Sequence, residues 1–387
     1  MDVRGVGSTL TEGFGNVAPA GPARGHGSGT DELCGIPAGF PPCLSGKSVW
    51  TGAQFQDETR FIHVLTECHL AEIPRALAHF KEKELDGDLI NRDNFPLPTL
   101  GPLLEQLSHD VYNGTGFCVI RGINKDDYSV EDLTVIWLGI QAYIADQRGR
   151  QDHRGNMLGR HEPSMMPLLC AYDESVHIIA DNSSEITIGH HRHSKSPLSF
   201  HNEVAGDVIG WLTRSAAASG GRCIVASVHA IYNILATHRP DVIRTLAKSD
   251  WPIALLIMNF GRTPLLGNAV HPRPGYLPKL SERQREALDT VEAIAQAAQL
   301  EIKTRAGDMH FINNFTVLHR REGFVDGAGP REKRHLVRMI LRSSELGWSI
   351  PEELKQDWYD AFEVDSSKTW HLEPMPSGAF PLRKYTN

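Results

Sequence analysis

The chain has 387 residues, of which 41% are hydrophobic and 22% are charged, as is usual for a globular protein with one large core. Its formal net charge of -8 argues against a nucleic-acid-binding protein, which normally presents a basic face to phosphates. No apolar run approaches the roughly 18 residues of a membrane-spanning helix, and the first residues lack a secretory signal pattern. We therefore expect a cytoplasmic protein without nucleic-acid or membrane partners.

The six cysteines are spread along the chain, and no two of them form a C-x-x-C pair. Because that spacing is typical of zinc ribbons and redox-active dithiols, neither kind of site is expected. Their neighbours are largely apolar, as around Cys118 in the run 116–120, which predicts reduced thiols in the core. A reducing compartment agrees with this pattern.

Residues 1–50 are rich in Gly, Pro and Ala and have little periodic apolar pattern. This composition predicts an irregular N-terminal extension, followed by one domain over residues 51–387. Apolar residues at helical spacing predict an amphipathic helix between about residues 60 and 84. The apolar run from Gly116 to Gly122 is short and bounded by glycines, which predicts a buried strand.

Three further helices have recognisable first residues. Ser129 and Ser281 are suited to cap helices, and Pro351 is suited to the first turn of a helix that ends near residue 362. Segments with strand propensity lie between the helices, at residues 204–212, 223–226, 253–258, 308–311 and 335–341. Glycine and proline turns separate these segments without βαβ alternation, which predicts a mostly β fold with flanking helices, a sandwich or jelly roll.

Two His-x-Glu triplets occur, one at His201 and Glu203 and the other at residues 371–373. Residues two apart on a strand point to the same face, so a strand at 201–203 would direct both side chains into one cavity. The second triplet lies in a proline-rich segment with no later element to complete a site. With 19 histidines in the chain, we interpret this second triplet as chance.

A triad of two histidines and one carboxylate needs one more histidine from a distant segment. His319 is the best candidate, because a predicted strand leads into a turn that would present its side chain. The alternatives are the histidines at positions 190, 191 and 193, in a segment typical of a polar loop. A single histidine is more often a surface or hydrogen-bonded core residue, so the candidate depends on its partners.

Arg334 and Arg338 lie in an apolar segment, and on a strand they would share a face with Leu336 and Ile340. Two arginines that face a core are costly without anionic partners. A dicarboxylate co-substrate would supply such a partner, because a guanidinium binds a carboxylate with two parallel hydrogen bonds. The alternative is an exposed edge strand with a solvated basic face.

Taken in order, these motifs resemble the taurine and 2,4-D dioxygenase-like family of iron(II)- and 2-oxoglutarate-dependent oxygenases, over about residues 110–345. The segment that begins at Arg148 looks like the fungal branch of this family. The resemblance implies a double-stranded β-helix (jelly roll) core. The matching pieces are the strand from Gly116 to Gly122, Phe200-His201-Asn202-Glu203, Ser219-Gly220-Gly221, Gly307-Asp308, Asn314 five residues before His319, and the two arginines.

The resemblance also implies roles for individual residues. His201, Glu203 and His319 match the iron ligands of the family. Arg334 matches the arginine that holds the distal carboxylate of 2-oxoglutarate, and Arg338 matches a position where some relatives hold an acidic group of the substrate.

The chain departs from the family pattern at three places. Glu203 stands where most relatives have aspartate, although the clavaminate-synthase-like branch also has glutamate. Cys223 stands where relatives often have a threonine that hydrogen-bonds the co-substrate, and a thiol is a weaker donor. Asn313 and Phe315 replace an aspartate and an arginine, which we expect to reshape the pocket rather than the metal site.

The expected activity is oxidation of an unactivated C–H bond of a small carboxylate or amino acid with iron(II), 2-oxoglutarate and dioxygen, in specialised metabolism. Hydroxylation, desaturation and oxidative cyclisation are all compatible with the ligands. One alternative is a metal-dependent hydrolase or isomerase on the same barrel, which would leave Arg334 unexplained. The other is a non-catalytic binding protein with a relict site, which the intact triad and paired arginines disfavour.

Overall fold

The structure is a computed structural model of the chain. It describes residues 35–150, 159–160, 177–179, 195–203, 205–248, 260–267, 278–328, 333–364 and 379–381. The predicted strand at 253–258 and most of the predicted N-terminal extension lie outside these residues. No helix among the described residues is both long enough and apolar enough to cross a membrane.

The described residues form a mixture of helices and largely antiparallel sheets. The helices are α1 (Glu67–Lys81), α2 (Leu100–Asn113), α3 (Val130–Ile144), α4 (Val228–His238), α5 (Pro240–Leu246), α6 (Arg262–Leu266), α7 (Glu282–Ala298) and α8 (Lys355–Trp358). The first strands are β1 (Ile62–Val64), β2 (Phe117–Arg121), β3 (Gln147–Gly149), β4 (Gly159–Arg160), β5 (His177–Ile179), β6 (Val208–Ser215) and β7 (Ser219–Gly220). The remaining strands are β8 (Cys223–Ser227), β9 (Leu300–Ile302), β10 (Met309–Asn313), β11 (Val317–Arg321), β12 (Phe324–Val325), β13 (His335–Arg342) and β14 (Ala379–Pro381).

The predicted helices form where the capping signals lie. The Ser129 side chain accepts a hydrogen bond from the Asp132 N–H at the start of α3. Ser281 and Gln284 form a reciprocal capping box at the start of α7. The helix predicted after Pro351 is a 3-10 turn, the short α8 and a π turn over Tyr359–Glu363, so its start and end are confirmed but its helix type is mixed.

Within the described residues, the larger sheet has seven strands in the order β1-β2-β10-β6-β13-β3, with β4 also paired to β13. Only β1 and β2 run parallel in it; its other pairs are antiparallel. The strand predicted between Gly116 and Gly122 is β2, and it pairs with β1 and β10 inside this sheet. A second sheet has the order β11-β8-β9, and two small pairs, β12-β7 and β14-β5, lie outside both.

The two sheets face each other, and side chains alternate between an inner and an outer core. On β13, Val337 and Met339 pack with α1, α2 and α3 on the outer face of the larger sheet. Leu336 and Ile340 point the other way, toward residues of β8. The outer face of the smaller sheet is covered by α4, α5 and α7. This period-two alternation leaves the space between the sheets as the place where a polar site can be enclosed.

One predicted strand begins later than expected. The segment predicted at 204–212 becomes β6 only at Val208, so His201 and Glu203 precede the strand and do not belong to it. Just before β6 the backbone is bound by a side chain, because the Asn314 amide donates to the carbonyls of Glu203 and Gly206. Gly206 also has a φ of +95°, a conformation outside the strand region.

Two motifs from the sequence hold the fold together. Gly307 has a φ of +89° and lies in the turn between Arg305 and Asp308, just before β10. The buried Asp308 carboxylate accepts two hydrogen bonds of 2.8 Å from the Arg121 guanidinium. The Arg148 guanidinium donates to the carbonyls of Ile90 and Leu138 and thereby fixes the end of α3. Both arginines are structural, and neither role was predicted.

The described part of the predicted extension, residues 35–50, contains no helix or strand. Its last residue, Trp50, is buried and donates a hydrogen bond to the Thr115 carbonyl. Among the four described cysteines, all of which are free, Cys118 and Cys223 are buried as predicted. The prediction of core thiols is wrong for Cys43 and Cys68, which are exposed.

Candidate metal centre and its cavity

The two histidines of the predicted triad lie opposite each other. His201 and His319 form an antiparallel bridge, in which each backbone N–H donates to the other residue's carbonyl over 3.0 Å. Side chains directly opposite in such a pair are neighbours, and the centroids of these two rings are 4.4 Å apart. His319 lies within β11, so the prediction that a turn presents it is wrong.

Glu203 completes the group from the same segment as His201. One carboxylate oxygen, Oε1, lies 3.9 Å from His201 Nε2 and 3.7 Å from His319 Nε2. One potential ligand atom from each of the three residues lies within 4.8 Å of the others. His201 and Glu203 are buried and His319 is partly buried. The sequence therefore brings together two imidazoles and a carboxylate in a sheltered place.

The chemistry of these donors fits a divalent metal ion. Nδ1 of His201 lies 2.8 Å from the Ser199 carbonyl, which can only accept, so in the neutral imidazole Nδ1 carries the proton and Nε2 has the lone pair that a metal would need. Two imidazoles and one carboxylate on one side of an ion form the facial triad that is typical of non-haem iron(II) oxygenases. Among the described residues, it is the only group of three or more histidine, cysteine or carboxylate side chains whose ligand atoms lie close enough together to hold one metal ion.

Asn314 positions the carboxylate ligand through the backbone. Its Oδ1 accepts the Glu203 N–H over 2.8 Å, and its Nδ2 donates to the carbonyls of Glu203 at 2.9 Å and Gly206 at 3.0 Å. Asn202 is fixed in the same way, because its amide donates to the carbonyls of Asn314 and Val317. The asparagine five residues before His319 thus acts on the metal site without facing it.

Replacing Asn314 with alanine is expected to lower the free energy of unfolding by about 3 kcal/mol, because it leaves three buried backbone groups without partners. It should also weaken metal binding by about tenfold, since Glu203 loses its support. Denaturant unfolding and a metal titration measure the two effects. The exposed helix-capping Asn124 is the control, and Asn124→Ala should cost about 1 kcal/mol or less. Equal losses in the two variants would contradict the positioning role.

The predicted arginines line the same cavity as the triad. Arg338 forms an ion pair with Glu203 through Nη1 and Oε1, so its guanidinium lies at the metal centre. Arg334 lies further along the cavity, with its guanidinium carbon 5.4 Å from the centroid of the Phe324 ring. Burial lowers the pKa of Arg334 to about 10, which still leaves the side chain charged at neutral pH. The alternative of an exposed basic edge strand is wrong, because both side chains are buried.

Cys223 lies at the Arg334 end of the cavity. Burial raises the pKa of its thiol to about 12, and the nearby positive charge of Arg334 only partly opposes this shift. The thiol therefore stays protonated at neutral pH and can offer only a weak hydrogen bond.

Sequence reasoning missed Arg321, which is buried and lines the same cavity. It follows His319 by two residues and shares its face of β11, a pattern that the turn expected at His319 concealed. Asn313 and Phe315 do not line the cavity. Asn313 closes the turn before β11 by accepting the Phe315 and Thr316 N–H groups, and Phe315 stacks on Trp348. The histidines at 190, 191 and 193 and the triplet at 371–373 lie outside the described residues.

This combination of facing sheets and a two-histidine, one-carboxylate centre agrees with the family predicted from the sequence. The sequence model of the taurine catabolism dioxygenase TauD, TfdA family matches residues 81–254 and 254–340. The chain belongs to this family.

Individual relatives agree with that assignment. Taurine hydroxylase-like protein SAT17 of Stachybotrys chartarum is 34% identical over 357 residues, which are 86% of this chain and 89% of that protein. FR-33289 synthase of Streptomyces rubellomurinus is 24% identical over 343 residues, which are 80% of this chain and 93% of that protein. The similarity to a fungal protein confirms the predicted fungal branch.

One solved structure shows a related fold. Asparagine oxygenase in complex with Fe(II), 2S,3S-3-hydroxyasparagine and succinate superimposes with a TM-score of 0.50 over 73% of this chain and 94% of that chain. The two sequences are 16% identical, so the likeness concerns the fold alone.

Proposed function

We propose that this protein is an iron(II)- and 2-oxoglutarate-dependent oxygenase that oxidises an unactivated C–H bond of a small carboxylate or amino acid. The observation that supports this most strongly is that one buried cavity contains the triad of His201, Glu203 and His319 and also Arg334. A hydrolase or isomerase would use the metal ligands but has no evident use for a buried guanidinium beyond them. Asparagine oxygenase, whose fold is similar, has been solved with Fe(II) and succinate.

In this proposal His201, Glu203 and His319 would hold iron(II), and the rest of the cavity would be available to 2-oxoglutarate and the substrate. When bound, the metal would supply the activation of dioxygen: one oxygen atom would be used to convert 2-oxoglutarate to succinate and carbon dioxide, and the other would enter the substrate C–H bond. Desaturation or ring closure removes two hydrogens from the substrate instead, and that oxygen atom leaves as water. The apolar side chains of Ile209, Trp211 and Leu336 line the cavity and exclude solvent from the reacting atoms.

In this proposal Arg334 binds the co-substrate and Arg338 binds the substrate. Arg334 is suited to the distal carboxylate of 2-oxoglutarate, because a guanidinium in a buried place binds a carboxylate with charge-assisted hydrogen bonds. Cys223 lines the same end of the cavity and would pack against this co-substrate. Arg338 lies at the triad itself, so an acidic group that it binds would be held beside the metal. A small carboxylate or zwitterionic amino acid meets this requirement.

The proposal extends to architecture and biological setting. Two facing sheets with the site between them support a double-stranded β-helix (jelly roll) core of the kind that the family implies. We further propose that residues 51–387 form one catalytic domain in a cytoplasmic protein. The similarity to a fungal taurine hydroxylase-like protein supports a role in specialised metabolism.

The substrate anchor can be tested with Arg338→Met. Taurine, L-asparagine and other small amino acids and carboxylates are first screened for stimulated release of succinate by the unaltered protein. For a stimulating compound, Arg338→Met should raise KM by about 30-fold or more, because one buried charge-assisted contact is lost. The change in the turnover of 2-oxoglutarate without substrate should be much smaller than this change in KM. The exposed Arg222, which pairs with Glu301 and Glu322, supplies the control Arg222→Met. An unchanged KM would overturn the role of Arg338.

A further inference from the structure

Arg321 and Cys223 lie directly opposite each other on neighbouring strands. The register of β11 and β8 pairs these two residues, just as it pairs His319 with Val225 two positions away. Side chains at paired positions are neighbours on the same face of a sheet, and both residues line the cavity. Cys223, which stands where relatives often have a threonine that hydrogen-bonds the co-substrate, therefore has Arg321 beside it.

Arg321 and Arg334 both lie near the aromatic ring of Phe324. The guanidinium carbon of Arg321 lies 5.0 Å from the centroid of Phe324, and that of Arg334 lies 5.4 Å from it. The Nη2 atom of Arg321 donates to the Ser196 carbonyl over 2.7 Å, which fixes the guanidinium in place. Gly221 leaves space for the Arg334 side chain, because a Cβ at this position would lie only 3.2 Å from it.

The charges at this end of the cavity favour an anion. Glu203 is the only carboxylate among the described residues that line the cavity, and it forms an ion pair with Arg338. Asp326 lies near Arg334, but its carboxylate accepts the Arg334 backbone N–H and pairs with Lys195. Two like charges that are held against one ring repel each other, and a shared anion would remove that repulsion.

We propose that Arg321 and Arg334 together bind the distal carboxylate of 2-oxoglutarate, an inference that rests on the proposed function. A carboxylate has two oxygens and about four lone pairs, so it can accept hydrogen bonds from two guanidinium groups at once. Arg321 then supplies the contact that the Cys223 thiol makes poorly. The pair of arginines selects a 2-oxo acid with a second carboxylate over one with an apolar tail.

The test compares two ligands that differ only at the distal end. Calorimetric titration under anaerobic conditions measures the affinity of the iron(II)-loaded protein for 2-oxoglutarate and for 2-oxopentanoate, which has a methyl group in place of the distal carboxylate. Arg321→Met should weaken 2-oxoglutarate binding by about 10- to 100-fold, the range for one charge-assisted hydrogen-bonding group. It should leave 2-oxopentanoate binding within about twofold, and the exposed control Arg222→Met should change neither.

Other outcomes separate this inference from the proposed function. Equal 2-oxoglutarate affinities for Arg321→Met and the unaltered protein would overturn the inference and leave the proposed function intact. An equal loss for both ligands would also overturn it, because Arg321 would then act through the metal site. If the unaltered protein binds neither ligand, the proposed function fails as well. Should Arg321→Met not fold, Arg321→Lys keeps the charge without the planar fork and is expected to lose affinity for 2-oxoglutarate alone.

Discussion

Replacing His319 with alanine is expected to abolish tight binding of iron(II), with an affinity at least about 100-fold lower than that of the unaltered protein. Changes that only disturb the orientation of a metal ligand already cost about 10- to 100-fold. The loss of a ligand removes one of the three donors that the bridge between β11 and His201 brings together. Two donors would remain, the imidazole of His201 and the carboxylate of Glu203. Anaerobic equilibrium dialysis followed by metal analysis measures the effect.

The second His-x-Glu triplet provides a control with the same chemical change. His371→Ala also removes an imidazole next to a glutamate two residues on, yet it should leave iron binding unchanged, because we interpret that triplet as chance. If His371→Ala lowered iron binding as much as His319→Ala, the assignment of the metal centre would be wrong. Unfolding curves of both variants show whether either change acts through stability.

Arg334→Met is expected to weaken 2-oxoglutarate binding by about 3 kcal/mol, or more than 100-fold, because a buried carboxylate would lose its principal cationic partner. The substitution keeps most of the side-chain volume against Phe324, so the cavity should retain its shape. Iron binding should stay within about threefold, since Arg334 does not belong to the group of potential metal ligands. Calorimetric titration with 2-oxoglutarate under anaerobic conditions measures the loss.

The control for Arg334→Met is again the ligand without a distal carboxylate. Binding of 2-oxopentanoate should be the same in the variant and in the unaltered protein. A loss of 2-oxoglutarate affinity below about threefold would show that Arg334 is a structural residue, and it would favour the hydrolase or isomerase alternative.

That His201 and Glu203 lie side by side could be predicted from sequence, because their spacing follows a short-range rule. His201 and Glu203 are two residues apart, so any extended backbone directs them to one side. Arg334 and Arg338 are buried on the face that the apolar pattern around Leu336 indicated. For these residues, local periodicity and the order of motifs were sufficient.

The errors concern features that depend on distant residues. The strand after Glu203 starts late because the Asn314 amide binds the backbone there, and Asn314 is more than a hundred residues away in the chain. His319 lies in a strand because β11 pairs with β8, which the periodicity of a single segment cannot indicate. The position of Arg321 beside Cys223 depends on strand register, which a single sequence does not specify.

The partners of the buried arginines could not be predicted from the sequence either. The ion pair of Arg121 with Asp308 joins two strands that are far apart in the chain, and its bidentate geometry depends on the turn at Gly307. The ion pair of Arg338 with Glu203 links a proposed substrate anchor to a proposed metal ligand. Neither partner could be chosen from composition, because many carboxylates are available to each arginine.

The visible absorption of the purified protein under anaerobic conditions tests the central proposal most directly. Iron(II) is added alone, 2-oxoglutarate alone, and then both together. A 2-oxo acid bound to iron(II) through two oxygens gives a weak charge-transfer band, which we expect only when both are present and not in His319→Ala. Iron that binds to the protein without producing this band, at saturating 2-oxoglutarate, would contradict the assignment as a 2-oxoglutarate-dependent oxygenase.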